Sequence, residues 1–210
     1  MLYEEICCGL YRVRVPFEDL TTTVYISRYG EGAAIIDSAT YPSDVDNYII
    51  PALCELGIGE GDVRWLLITH THSDHAGGLP RLSELFPRAR VGFVSELDYS
   101  GFRQISDGEV LLGGLQVVSL PGHTKNCVGY LDIKTRTLLS GDCLQLRGIG
   151  KYRNGVAQPK AYAESVARLS GMDIRRIVAA HEYDPLGSLA EGEESALEYL
   201  RECLSACELL

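Results

Sequence analysis

A mixed α/β layered domain is what this sequence predicts. Short β-like runs alternate with helical segments in both halves of its 210 residues. Apolar residues make up 46% and charged residues 23%, an ordinary globular balance. The closing stretch repeats its apolar residues at helical spacing. Taken in order, residues 10–15, 22–28 and 33–37 read as short strands parted by turn residues. Ser43 reads as the N-cap of a helix running to about Leu56 and ended by Gly57. Residues 63–69 form an apolar, buried strand, and 79–86 a short helix stopped by Pro87. Residues 90–94 return to strand, and 95–101 fit one or two helical turns. A β-rich middle follows at 109–112, 115–120, 127–133 and 136–140. A helix at 159–169 and a strand at 176–180 come next. In 189–207, Leu189, Ala196, Leu197, Leu200, Cys203, Leu204 and Cys207 outline an amphipathic helix. No repeat or long linker interrupts the pattern, so one domain spanning 1–210 is expected.

Composition excludes several classes. The longest stretch free of charge, residues 110–124, is 15 residues long and is broken by Gly113, Gly114, Pro121 and Gly122. A spanning helix needs about 20 apolar residues. The first ten residues carry Glu4 and Glu5 without a basic cluster, so no secretory leader and a cytoplasmic location are expected. The net charge of -10 argues against a nucleic-acid or anionic-membrane partner and leaves a small molecule as the expected one. Seven cysteines without any CxxC pair offer neither a zinc ribbon nor a thioredoxin motif. Cys203 and Cys207, four apart on the last helix, read as small core residues.

The five histidines are the informative feature. Thr69-His70-Thr71-His72-Ser73-Asp74-His75 directly follows the apolar run 65–68. In extended chain, residues two apart point the same way, so His70 and His72 can grip one ion. Asp74 and His75, on the following turn, can face a neighbouring ion. Imidazole and carboxylate donors together suit zinc, manganese or iron(II). His123, in Pro121-Gly122-His123-Thr124, follows the strand ending at Leu120. Asp142 follows Ser140-Gly141, and His181 follows the strand 177–180. One histidine of this kind is ordinarily a surface or core residue. All five falling at strand ends collect ligands at one sheet rim.

These residues resemble the metallo-β-lactamase fold superfamily of metal-dependent hydrolases, over 37–183. The resemblance implies a four-layer αβ/βα sandwich with the metals at one edge of its two sheets. It implies that His70, His72 and His123 hold a first ion. Asp74, His75 and His181 would hold a second, and Asp142 would bridge them. Asp37, closing Ile35-Ile36-Asp37, matches the supporting aspartate of the first motif. Two divalent ions are therefore expected, zinc favoured, with iron or manganese as alternatives. Two such ions, offset by Asp74, Asp142 and a bridging hydroxide, leave a small positive charge that favours an anionic tetrahedral intermediate. That hydroxide would attack a carbonyl carbon without a serine or cysteine nucleophile. Cys143, beside Asp142, reads as a packing residue, because adjacent residues near a strand end point apart.

Within the superfamily, true β-lactamases place cysteine or serine where Asp142 stands. Flavodiiron proteins replace the histidine at the His72 position by glutamate. The glyoxalase II-like thioesterases are the most similar branch. Gly148-Ile149-Gly150-Lys151-Tyr152-Arg153-Asn154-Gly155 resembles their segment after the bridging aspartate, and His181-Glu182-Tyr183 their final His-Glu-Tyr. Lys151, Tyr152 and Tyr183 are thereby implied as substrate contacts, although the family's second loop aromatic falls on Arg153. The expected reaction is hydrolysis of a thioester, ester or lactone, with Asp74 and Asp142 as catalytic carboxylates. The alternative is a mononuclear non-haem iron oxidoreductase resembling the persulfide dioxygenases, which share the fold and the first-site ligands.

Overall fold

The computed structural model of the chain describes residues 2–144, 156–183 and 187–207. Two sheets carry the strands, one of seven strands and one of six. By their internal contacts the residues form two compact units. The first is Met1–Ile105 with Val110–Gly113, and the second is Ser106–Glu109 with Gly114–Leu210.

In the first unit, β1 (Glu4–Cys7), β2 (Leu10–Phe17), β3 (Leu20–Tyr29) and β4 (Gly32–Ile36) form an antiparallel meander. β5 (Val63–Leu67), β6 (Arg90–Phe93) and β7 (Phe102–Gln104) then add in parallel. The short strand β8 (Val110–Leu111) also belongs to this unit's residues. Parallel neighbours need crossovers, and helices supply those from β4 to β5 and from β5 to β6. The β4–β5 crossover holds α1 (Pro42–Asp44), a π turn (Val45–Ile49) and α2 (Ile50–Glu55). Ser43 is therefore not the N-cap. Tyr41 is, because Pro42 suits the first helical position and the Asp44 carboxylate accepts the Tyr41 N–H at 2.9 Å. The π turn falls where Pro51 lacks an N–H for the usual ladder, and Ile50 N–H reaches back to Val45 O. α3 (Ser73–Ala76) and α4 (Leu79–Leu85) fill the β5–β6 crossover. Residues 95–101 hold no helix, and the edge strand β7 follows them.

In the second unit, β9 (Leu115–Ser119), β10 (Val128–Asp132) and β11 (Thr137–Gly141) are antiparallel neighbours. β12 (Arg176–Tyr183) lies parallel to β11, after the crossover helix α5 (Pro159–Leu169). The stretch after β12 departs from expectation. Leu189 lies in an edge strand, β13 (Gly187–Glu191), paired with Val178, and the closing helix α6 is Glu193–Cys207. Gly192, at φ +96°, makes the break, and pairing with β12 rather than local periodicity decides the state of Leu189. α5 buries Tyr162, Ser165, Val166 and Leu169, and α6 buries Ala196, Tyr199, Leu200 and Cys203. Each set follows one helical face. Both faces join Val118, Leu138 and Ile177 of the sheet, and Leu120 just beyond it, in one core. Leu197 is left exposed, and Tyr199 takes the core place instead. Among the described residues, no helix is long and apolar enough to cross a membrane.

Candidate metal centre

Parallel pairing places the first unit's polar residues. Ile36 and Leu67 are register partners, so β4 and β5 end side by side. The chain beyond β4 delivers Asp37, and the chain beyond β5 delivers Thr69 and His70. Asp37 N–H donates to Leu67 O at 2.8 Å. The Asp37 carboxylate accepts the Thr69 N–H at 2.7 Å, the Thr69 hydroxyl at 2.9 Å and His75 Nδ1 at 2.8 Å. Asp37 sits at φ +64° and Ala39 at +60°, in a left-handed region that is costly outside glycine. The Ser38 N–H and hydroxyl both donate to His75 O, which anchors this bend on α3. Close packing continues below. A Cβ on Gly77 would lie 2.0 Å from Thr40 O, and one on Gly78 2.1 Å from Ser38 O.

The first unit brings His70, His72, Asp74 and His75 together. The His70 ring lies 4.5 Å from that of His72 and 4.2 Å from that of His75, centroid to centroid. His70, Asp74 and His75 are buried, whereas His72 is exposed. With Nδ1–H committed to Asp37, a neutral His75 turns its Nε2 lone pair outward. Asp74 Oδ2 lies 3.2 Å from that Nε2. Two lone pairs at that distance in a buried setting repel unless a proton or a metal ion lies between them.

The second unit holds the remaining ligand candidates at one edge of its sheet. His123 sits in the β9–β10 turn and Asp142 directly after β11. His181 lies within β12, not beyond it, because pairing with β13 extends that strand to Tyr183. Gly141 pairs with Ala179, two residues before His181. All three side chains are buried, Asp142 at 6%, His123 at 7% and His181 at 5% exposure. Asp142 Oδ1 lies 3.2 Å from His181 Nε2, and Asp142 Oδ2 lies 3.6 Å from His123 Nε2. Each carboxylate oxygen thus faces a different imidazole. That is the geometry a bridging carboxylate requires, and the nitrogen and oxygen donors suit a borderline divalent cation.

Sequence reasoning did not single out Thr69. Its hydroxyl lies 3.1 Å from His70 Nδ1 as well as on Asp37. Its position just before the first histidine was the available signal. Cys143 is buried, hydrogen-bonded to Val128 O at 3.6 Å, and packs in the core as expected. A hydrogen bond with Cys143 and two from Thr124 hold the Cys127 thiol below its ordinary range, against burial that raises it. Lys151 and Tyr152 lie outside the described residues, as does the side chain of Tyr183.

Residues 18–103 match the sequence family described as the metallo-β-lactamase superfamily. Over those residues the chain is similar to the metallo-β-lactamase superfamily. It is 31% identical over 159 residues to a hydroxyacylglutathione hydrolase of Synechococcus sp., covering 72% of this chain and 59% of the relative. It is 33% identical over 138 residues to a hydroxyacylglutathione hydrolase of Vibrio parahaemolyticus, covering 63% and 53%. The chain thus spans between half and three fifths of the length of these curated relatives. A metallo-β-lactamase family protein from Thermus thermophilus superposes with a TM-score of 0.73 at 20% identity, over 98% of this chain and 81% of that one. That likeness establishes the α/β metallo-β-lactamase fold.

Proposed function

We propose that this chain is a dinuclear metal-dependent hydrolase of the metallo-β-lactamase superfamily that acts on thioesters, esters or lactones, with a glyoxalase II-like thioesterase favoured. By the family pattern, His70, His72 and His123 serve one ion, Asp74, His75 and His181 the other, and Asp142 both. The observation that carries the reading is the Asp142 carboxylate, buried, with one oxygen towards His181 and the other towards His123. The hydrolase names of the relatives, at about a third identity, support the reaction class.

When bound, divalent ions supply Lewis acidity, which polarises a carbonyl and lowers the pKa of water. The chain's own groups do the rest. Asp37 holds the His75 Nδ1–H and so fixes the tautomer that presents Nε2. Thr69 pins the Asp37 carboxylate with two hydrogen bonds. Asp74 is assigned to take the proton of the attacking water, and Asp142 to keep His123 and His181 in register. Lys151 and Tyr183 are assigned to an anionic thiol portion of the substrate, and zinc to the metal.

The test is hydrolysis of S-lactoylglutathione, with a lactone and a simple ester alongside, by protein of measured metal content. Thioester turnover at two ions per chain is expected. Absence of turnover on all three substrates at full metal occupancy would overturn the reading. One iron per chain with persulfide-dependent oxygen uptake would replace it with the oxidoreductase alternative. Lys151→Ala should raise KM for the anionic thioester more than for the neutral ester, and an equal effect would remove Lys151 from substrate binding.

A further inference from the structure

Cys127 is not among the candidate ligands, yet its sulfur is tied to the residue after one of them. Thr124 N–H donates to Cys127 Sγ at 3.2 Å, and the Thr124 hydroxyl lies 3.1 Å from the same sulfur. Thr124 directly follows His123. Its carbonyl accepts the N–H of Gly122, the residue before His123, at 3.0 Å. The base of the turn is closed by Leu120 N–H on Cys127 O at 2.8 Å. Of the two backbone neighbours of His123, Gly122 is therefore held by Thr124, and Thr124 by one buried sulfur. Cys127 is fully buried. It also makes a side-chain hydrogen bond with Cys143, the residue after Asp142. A thiol contact thus links the turn that carries His123 to the one that carries Asp142.

We propose that Cys127 is a positioning residue of the metal centre, whose sulfur locks the 121–127 turn in the conformation that presents His123. The inference rests on the metal-centre reading of the preceding section. Its chemistry is that of an acceptor. A turn of seven residues has many conformations, and two hydrogen bonds at one fixed atom, one of them accepted from the Thr124 N–H, select one. Preselecting the imidazole direction lowers the entropy lost when an ion binds. Outer partners of this kind ordinarily change metal affinity about 10- to 100-fold when removed.

Three variants test it. Cys127→Val keeps an apolar side chain in the core but removes the acceptor. Cys127→Ser restores an acceptor. Thr124→Val removes the hydroxyl while leaving the sulfur in place. Zinc affinity is read by competition with a chromophoric chelator, and the cobalt(II) protein by its ligand-field spectrum. Amide exchange of Thr124 is followed in metal-free protein, and the thermal midpoint of each variant is recorded.

Zinc affinity should fall about 10- to 100-fold in Cys127→Val, with a changed cobalt spectrum, and Cys127→Ser should recover most of the loss. Thr124 amide exchange should accelerate in Cys127→Val without metal present. Wild-type zinc affinity and an unchanged cobalt spectrum in folded Cys127→Val would overturn the proposal. Should Cys127→Val fail to fold, unaltered affinity in Thr124→Val would overturn it equally. A thermal midpoint lowered alike in the Val and Ser variants, at wild-type affinity, would reduce Cys127 to a packing residue. Should the wild-type chain bind no metal, the metal-centre reading fails. Unchanged Thr124 exchange in metal-free Cys127→Val would then count separately against the turn lock.

Discussion

Asp37 accepts the His75 Nδ1 hydrogen bond at 2.8 Å while its own backbone sits at φ +64°. One residue thus combines a backbone conformation that costs energy with a carboxylate that satisfies three donors. Asn tolerates that backbone almost as well as Asp, whereas Ala does not. Asp37→Asn is therefore expected to leave the fold intact and to weaken zinc binding about 10- to 100-fold, through loss of the fixed His75 tautomer. Asp37→Ala should add a stability loss of about 3 kcal/mol or more, because buried donors on Thr69 and His75 lose their acceptor. Chelator competition and urea unfolding separate the two effects.

His72 is the exposed member of its set. Its removal disturbs little packing, so His72→Ala should change the stability of metal-free protein by no more than about 0.5 kcal/mol. Bound metal and turnover should nevertheless be lost. Elemental analysis of the purified variant checks this, and two retained ions per chain would remove His72 from the ligand set.

Asp142→Asn keeps the size of the side chain and replaces one anionic oxygen with an amide nitrogen. A bridging role requires both oxygens, each facing its own histidine. The variant is expected to hold one ion or none, and to lose roughly a hundredfold or more in kcat/KM. A terminal ligand to a single ion would leave the second ion in place, so metal stoichiometry decides between the two roles.

Gly122 has φ +153°, and a Cβ there would lie 2.6 Å from the Tyr162 Cβ. Gly122 O also accepts the Gln158 N–H at 2.9 Å, next to the start of α5. Gly122→Ala must push α5 away from the His123 turn. A loss of about 1–3 kcal/mol is expected in chemical unfolding, with weaker metal binding in the folded fraction.

Burial pushes the Cys203 thiol from 9.0 up to about 12, and burial likewise raises Tyr162 well above 10.0. Both neutral forms are favoured by folding. Their contribution to stability is full below the ordinary pKa values and is lost as pH rises above about 9. Alkaline unfolding should therefore set in between about pH 9 and 12. At neutral pH, Cys203 should resist alkylation in native protein while the exposed Cys8 and Cys54 react, as mass spectrometry of the labelled peptides would show.

Much of this molecule was legible in its sequence, and the limits have physical causes. α5 has the bounds 159–169 that its pattern predicts, because an amphipathic period with a proline start is local information. The histidine and aspartate spacing singled out His70, His72, Asp74 and His75, and the family resemblance added Asp37; the first unit holds all five at one sheet edge. The spacing also singled out His123, Asp142 and His181, which the second unit holds at another. The short strands β1 and β7, and Leu189 in β13, escaped that reading. Edge strands of three to five residues are made by backbone pairing with distant segments, which no local period records. The role of Thr69 was hidden for the same reason. It meets the Asp37 carboxylate because β4 and β5 run parallel in one register, and register is decided only when the sheet forms. Residue chemistry therefore came from the sequence alone. Which oxygen faces which nitrogen, from Asp37 to His75 and from Asp142 to His123 and His181, was decided by tertiary packing.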